Sequence, residues 1–297
     1  MRDYRATRKK KKWIVAIFLS VFLLICIAVC VSAYQGATKL TVAKYEVRMD
    51  MTESIRIVQL TDLHGKVFGT DNDVLVQMVA KQKPDLILMT GDMMDKSDEN
   101  ADIVCNLIRC LVEVAPVYYG FGNHEISWMD TTGIDLTPIL TDADAVVLNC
   151  DFLDISVKGQ QLRIGGYYNY YRQPHMYPLT LEEKLAELDF ADNFENTDRY
   201  KILLSHIPTA WLDWEYIEKY PVDLVLTGHY HGGQIRLPLV GGLYAPYVGL
   251  FPEYTEGMFA GEQATCILST GLGSSPGVPR INNPPQIVVV DLIPEKV

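Results

Sequence analysis

The chain has 297 residues, 48% hydrophobic and 21% charged, with no tandem repeat or low-complexity tract, which fits a folded protein and argues against a solenoid. Its first twelve residues, MRDYRATRKKKK, hold seven of the 26 Lys+Arg and one of the 37 Asp+Glu, leaving 19 basic and 36 acidic residues, a net −17, on the remainder. A body so acidic is repelled by polyanions, which argues against a nucleic-acid partner.

Directly after the basic run comes WIVAIFLSVFLLICIAVCV, Trp13 to Val31, without a charged residue. At helical rise it spans about 28 Å, close to the hydrocarbon thickness of a bilayer. Basic residues on its N-terminal side predict a cytoplasmic N-terminus and an exported body. The predicted organisation is a cytoplasmic segment over 1–12, an uncleaved transmembrane signal-anchor over 13–33 and a tether over 34–39, followed by a folded domain over 40–297. "VSA" at Val31 to Ala33 leaves a cleaved signal peptide, and a secreted or wall-associated product, as the alternative. Cys26 and Cys30 lie in the apolar span. Cys105, Cys110, Cys150 and Cys266 show no C-x-x-C spacing and are expected as buried free thiols.

A first strand is expected over Leu40 to Met49. Short apolar runs then alternate with polar clusters and helical stretches: "IRIVQL" (55–60), "DLILM" (85–89), "APVYYGF" (115–121), "KILL" (201–204) and "DLVL" (223–226). Residues 71–83 and 99–114 carry apolar positions near the helical period. Successive short strands are expected over 145–170, and late ones at 263–270 and 285–292. The pattern predicts βαβ units and an α/β fold, with a two-layer sheet core and helices outside.

The clusters after those runs carry the chemistry. "TDLHG" supplies Asp62 and His64, "TGDM" Asp92, "GNHE" Asn123, His124 and Glu125, "SHIP" His206, and "GHYHGG" His229 and His231. In an open α/β sheet, ligands bind at the carboxyl ends of parallel strands, so these residues are expected to converge. Five of the six histidines fall in these clusters. An oxygen and nitrogen donor set without thiolate suits Mn, Fe or Zn, and it is too large for one four-coordinate zinc. Two metals sharing a carboxylate fit better. If His229 and His231 lie in an extended segment, their α-carbons are roughly 6.5–7 Å apart on one side, a natural span for two neighbouring ions.

The ordered blocks "DLH", "GD", "GNHE", "SH" and "GHYH" resemble the signature of the calcineurin-like metallophosphoesterase superfamily. The basic N-terminus, single span and "GGQIRLPLVGGLYAP" stretch are similar to its YkuE/YaeI-like branch of membrane-associated bacterial phosphodiesterases. The resemblance covers about residues 40 to 292. It implies a two-sheet mixed β-sandwich flanked by helices and a first metal held by Asp62, His64, Asp92 and His231. Asp92 is implied to bridge to a second metal completed by Asn123, His206 and His229. The implied reaction is in-line attack of a bridging hydroxide on a phosphate ester, with His124 as general acid or phosphate-binding donor. Glu125 stands where the family usually has an aspartate.

The implied substrate is a phosphate ester outside the cytoplasm, a diester favoured, with an envelope lipid or nucleotide-sugar among the candidates. Alternatives are a phosphomonoesterase or pyrophosphatase, a metallo-amidase, and a non-catalytic surface protein that binds metal or ligand on the same fold. The tyrosine-rich stretch 165–178 reads either as a substrate-binding loop, with Tyr170 and Arg172 as its grips and His175 nearby, or as a self-packed surface loop. Residues 241–259 are similarly aromatic; they are expected either near lipid head groups or as a buried loop. "DKSDENAD" (95–102) reads as a solvated loop with a helix N-cap.

Overall fold

The structure, a computed structural model, describes residues 2–167, 181–274 and 278–295. It opens with one helix, α1 (Arg2–Thr38), in which the basic run, the apolar span and residues 34–38 of the expected tether form a continuous rod. Among the described residues it is the one helix long and apolar enough to cross a membrane, over Lys10–Thr38. Its apolar side chains face outward, Phe18 at 73% and Leu24 at 65% exposure, so the folded body does not cover them.

The body follows as β1 (Thr41–Met49), β2 (Ile55–Leu60), α2 (Asp73–Gln82), β3 (Leu86–Thr90), α3 (Asp102–Val112) and β4 (Val117–Gly120). Next come α4 (Asn123–Thr132), α5 (Leu136–Thr141), β5 (Val146–Leu148), β6 (Asp151–Val157), β7 (Gln160–Gly166), α6 (Leu181–Glu195), β8 (Tyr200–Leu204), α7 (Thr209–Leu212) and β9 (Leu224–Thr227). Four two-residue strands form two small ribbons: β10 (Arg236–Leu237) with β11 (Gly241–Gly242), and β12 (Tyr244–Ala245) with β13 (Gly249–Leu250). The chain closes with β14 (Gly257–Ala260), β15 (Thr265–Leu268) and β16 (Gln286–Pro294).

The long strands make two six-stranded sheets, ordered β1-β16-β2-β3-β4-β5 and β14-β15-β9-β8-β7-β6. Strands β2 to β5 run parallel, as do β7, β8, β9 and β15. Within these sheets, antiparallel pairing is confined to β16 with β2, β6 with β7 and β14 with β15. The two sheets pack face to face, and period-two alternation decides which residues meet. Ile55 and Ile57 of β2, Leu88 of β3, Ile202 and Leu204 of β8, and Leu224 and Leu226 of β9 fill the space between the sheets. The alternate residues Val58, Leu60, Ile87 and Met89 face α2 and α3 instead. Leu203 and Val225 turn the other way, onto Trp211 and the outer helices of the second sheet. The result is the expected mixed β-sandwich flanked by helices, with the separation into two sheets now explicit.

Buried Gln59 fixes how the sheets align. Its amide Nε2 donates to Thr90 Oγ1 at 2.9 Å in its own sheet and to the Thr227 carbonyl at 3.0 Å in the other. Thr90 and Thr227 are the last residues of β3 and β9, so the carboxyl ends of both parallel sets open onto one edge of the sandwich.

Candidate metal centre

Each sequence block emerges at that edge. Asp62 and His64 follow β2, Asp92 follows β3, and Asn123 opens α4 just beyond β4. His206 follows β8, and His229 and His231 follow β9 in the second sheet. The post-strand turns are stitched together by backbone: Asp62 N–H donates to Gly91 O, His64 N–H to Asp92 O, and Gly228 N–H to His206 O.

The turns are unusually sharp. Asp62, His64, Asp92, His229 and His231 all have left-handed backbones, with φ of 54°, 50°, 50°, 67° and 47°. For non-glycine residues that conformation costs of order 1 kcal/mol or more each and persists only where surroundings over-determine it. The expectation of an extended His229–His231 segment is therefore corrected: both residues are left-handed, and residues 231–233 form a short 3-10 turn. Glycine is required at two approaches. A Cβ on Gly228 would collide with Asp62 Oδ2 and Thr61 Oγ1, and one on Gly91 with the backbone of Gly122.

The side chains gather into adjoining groups. Asp62, His64 and His231 form one, and Asp92, His206 and His229 another, with ligand atoms within 4.8 Å of one another in each. His231 Nε2 lies 3.7 Å from Asp62 Oδ1, and His206 Nε2 lies 3.0 Å from Asp92 Oδ2. Asp92 Oδ2 also faces His64 Nε2 at 3.8 Å and His124 Nε2 at 4.0 Å, so one carboxylate stands between the groups. Asp62 and His206 are fully buried, and Asp92 is 1% exposed.

The hydrogen-bond inventory tests whether these residues suit metal. Buried polar atoms are normally paired. Yet His64 Nδ1 and Nε2, Asn123 Oδ1, His206 Nε2, His229 Nδ1 and Nε2, and His231 Nδ1 have no hydrogen-bond partner among the described residues. His206 is the clearest case. Its Nδ1 lies 2.7 Å from the Thr90 carbonyl, which only a protonated nitrogen can approach so closely. In the neutral ring, Nε2 then presents a lone pair to the Asp92 carboxylate. Two acceptors 3.0 Å apart need a proton or a metal cation between them, and ligands on an ion with bonds of about 2.1 Å sit at about that separation. The residues present fit a metal pair.

Without a metal, a proton takes that place. Burial opposes charge on His206, but Asp92 and Asp62 overcome it and push its pKa up to about 9. Burial also opposes charge on Asp92, yet His206, His64 and His124 hold it well below the usual carboxylate range. Asp62 is raised by burial, with the Asp92 charge adding to it against the pull of His206. His229 falls to about 3 through burial and then its His206 neighbour, and His231 falls well below its usual value through burial and His64. Both therefore offer neutral, coordinating nitrogens.

Three features escaped the sequence. Glu125 is fully buried, and its carboxylate accepts from the backbone N–H groups of Asp92 and Gly122 (Oε2, 2.8 Å each) and of Met93 (Oε1, 2.8 Å). It also accepts from Tyr119 Oη at 2.8 Å, so it fixes the turn that aims Asp92. The 95–102 loop is largely solvated as expected, with Lys96, Ser97, Glu99 and Asn100 exposed, but Asp95 departs from that reading. It is 5% exposed, with Oδ2 3.4 Å from His64 Nδ1 and 3.3 Å from His124 Nδ1. Ala101, with no side-chain cap, occupies the N-cap of α3. Finally, Arg280 and Asn283 brace the opposite wall: Asn283 Nδ2 donates to the His231 carbonyl at 2.6 Å, and Arg280 Nη2 to the Thr270 carbonyl at 2.7 Å. Neither had a local signal, because both act from a distant loop.

His124 lies in the first turn of α4, and its backbone N–H donates to Asp92 Oδ1 at 2.8 Å. Its Nδ1 accepts from the Lys96 N–H at 3.1 Å. The Asp95 contact alone would favour a proton on Nδ1, but only the Lys96 contact has hydrogen-bond geometry, which leaves the ring proton on Nε2. Tyr170, Arg172 and His175 lie outside the described residues. Cys110 is exposed and Cys150 half-buried, so the expectation of buried thiols holds only for Cys105 and Cys266 in the body.

Comparison with known proteins matches residues 55–233 to the calcineurin-like phosphoesterase family. YkuE of Bacillus subtilis (strain 168), named an uncharacterized metallophosphoesterase, is 29% identical over 245 residues, covering 81% of this chain and 79% of YkuE. Phosphodiesterase YaeI of Escherichia coli (strain K12) is 28% identical over 248 residues, covering 82% and 84%. Among solved structures, a 5'-nucleotidase precursor from Thermus thermophilus aligns with a TM-score of 0.49 at 15% identity, covering 74% of this chain and 49% of that one. With the family match spanning more than half its length, the chain belongs to the calcineurin-like phosphoesterase family and is a hydrolase of phosphoester bonds.

Proposed function

We propose that the protein is a phosphodiesterase with two divalent cations, of Mn, Zn or Fe, held outside the cytoplasm by a single membrane anchor. In this reading residues 1–12 are cytoplasmic, 13–33 cross the membrane, 34–39 link, and 40–297 form the catalytic domain. The observation that carries the reading is the pair of Asp/His groups with orphaned ring nitrogens at the shared edge of the sandwich. Preference for a diester rests on the likeness to phosphodiesterase YaeI.

Asp62, His64, Asp92 and His231 would hold one cation, and Asp92, Asn123, His206 and His229 the other. When bound, such a pair neutralises phosphate oxygens and lowers the pKa of the attacking water. The chain's own residues supply the rest. Gln59 and Glu125 lock the strand ends, so the donors meet the substrate without reorganising. Thr90 holds the His206 tautomer. Water adds to phosphorus as the ester P–O bond opposite breaks, and the leaving oxygen needs a proton. The proton released by the attacking water reaches it through solvent, while His124 Nε2–H, facing the Asp92 carboxylate, donates a hydrogen bond to a phosphate oxygen. Burial lowers the His124 pKa, which keeps the ring neutral and its lone N–H directed inward at neutral pH.

The test is hydrolysis of bis-p-nitrophenyl phosphate and p-nitrophenyl phosphate by purified full-length protein, with chelator and metal add-back. Chelator-reversible turnover, faster on the diester, is expected. Bound metal with no turnover of either ester would replace this reading with that of a metal-binding surface protein.

A further inference from the structure

Beside the metal centre lies a cavity of about 280 Å³ with almost wholly apolar walls. His231 forms its inner end, and Ile235, Leu243, Tyr244 and Val278 line it outward. Tyr244 and Val278 are half exposed, at 50% and 49%, so the cavity runs from the histidines to the surface. There it meets the two ribbons β10–β11 and β12–β13. From Leu237 to Pro252 the sequence LPLVGGLYAPYVGLFP has no charged residue, on a body whose net charge is −17. Its apolar tips are exposed: Leu239 fully, Leu250 67%, Val240 59% and Phe251 56%. A contiguous apolar surface of this kind marks a site of contact with another apolar phase.

The position of α1 says which phase. Its C-terminal end rests on the 280–282 segment: buried Gly36 packs on the Arg280 backbone, and Ser32 Oγ accepts from Asn282 N–H. The same segment carries the first ribbon, with Arg236 N–H donating to the Ile281 carbonyl and a bridge between Ile235 and Ile281. Leu239 is three residues beyond Arg236, a reach of at most about 10 Å. Phe251 is tied back to Leu243, and Leu243 to Ile235. The apolar ribbons are therefore joined to the segment on which the apolar helix leaves the body. Tyr247 on the second tip stacks on His229, with ring centroids 5.0 Å apart, so this surface is continuous with the metal centre. An acidic surface would be repelled by anionic head groups; an uncharged one with tyrosines suits the bilayer interface.

We propose that the Leu237–Phe251 ribbons seat in the outer bilayer interface beside the anchor, and that the substrate is a membrane-resident lipid phosphoester. Its phosphate reaches the Asp/His centre while its apolar chain lies in the Ile235–Leu243–Val278 cavity. The inference rests on the phosphoesterase reading above and adds the substrate class. The step is hydrolysis: water oxygen bonds to phosphorus, the ester P–O bond breaks, and the lipid alcohol leaves with a proton.

The experiment uses metal-loaded, full-length protein and a series of p-nitrophenyl alkyl phosphodiesters, methyl to octyl, each below its aggregation threshold. Burial of each methylene raises kcat/KM by roughly fourfold until the cavity is full. A series flat to within about threefold overturns the lipid assignment and leaves the phosphoesterase reading standing. No turnover of any member, or of p-nitrophenyl phosphate, overturns that underlying reading instead. In a second arm, the octyl diester is embedded in vesicles of phosphatidylethanolamine and phosphatidylglycerol. Leu239→Asp with Leu250→Asp lowers its turnover at least tenfold and leaves methyl-ester turnover within about twofold. Unchanged vesicle turnover, or an equal fall on both esters shared by the milder Leu239→Ser with Leu250→Ser, contradicts interfacial seating.

Discussion

Glu125 binds nothing in the proposed chemistry, yet it gathers four backbone N–H groups and a tyrosine hydroxyl in the fully buried floor of the site. Replacing it by glutamine puts an amide donor against other donors and leaves some of them unpaired, at about 3 kcal/mol in total. Denaturant melts of Glu125→Gln should show that loss, and metal analysis a lower occupancy, because the Asp92 turn is among the groups released. His124→Ala, by contrast, should retain its metal and lose turnover by about a hundredfold. The raised His206 pKa, about 9 against an ordinary 6.5, has a definite sign. Below about 9 the metal-free ring keeps its proton, so a cation taking that place must displace it. Metal affinity should rise with pH from about 6 to 9, as measured by competition titration. Every proposed ligand stands in a short sequence block, because ligand chemistry restricts residue type. The supports of those ligands were not legible. Asp95 sits in a run of charges that reads as solvated, and only His64 and His124, brought from other strands, make its burial intelligible.

Among elements, the strand–helix alternation was legible because each apolar run carries its own period. Two sheets were expected, but which strands belong to which was not legible, since β8 and β9 have the same local character as β2 and β3. Their separation depends on which strands pair, a non-local choice recorded in cross-sheet contacts such as Gln59 to Thr227. The GHYHGG turn shows a similar limit: its residues foretold ligands, but alternation was the wrong geometry for them. Here Gly228→Ala is the informative change. The added methyl would press on Asp62 and Thr61 without touching the hydrophobic layers. The melting temperature should fall by a few degrees at most, while turnover and occupancy at the Asp62 side fall much further. His229→Ala and His231→Ala should each empty a different position, which spectroscopy of the cobalt-substituted protein can separate.

For the whole molecule, the proposal of an acidic catalytic body on the outer side of a bilayer rests on the charge asymmetry and the continuous α1 helix. Cys110 is exposed on that body, whereas Cys266 is buried with its pKa pushed to about 12 by that burial. A membrane-impermeant maleimide should therefore label Cys110 in intact spheroplasts and leave Cys266 unmodified. Labelling of Cys110 only after lysis would put the body in the cytoplasm. The apolar span was legible as nineteen uncharged residues behind a basic run. Its contact with residues 280–282 was not, because the two segments are some 250 positions apart.

The central claim is that one buried carboxylate, Asp92, joins two cation positions into one hydrolytic centre. Metal stoichiometry and diester turnover, measured together in wild-type and Asp92→Asn protein, test it most directly. Two divalent ions per wild-type chain are predicted, with at least one lost and turnover lowered by several hundredfold in the variant. An Asp92→Asn protein that kept full metal content and full turnover would contradict the account.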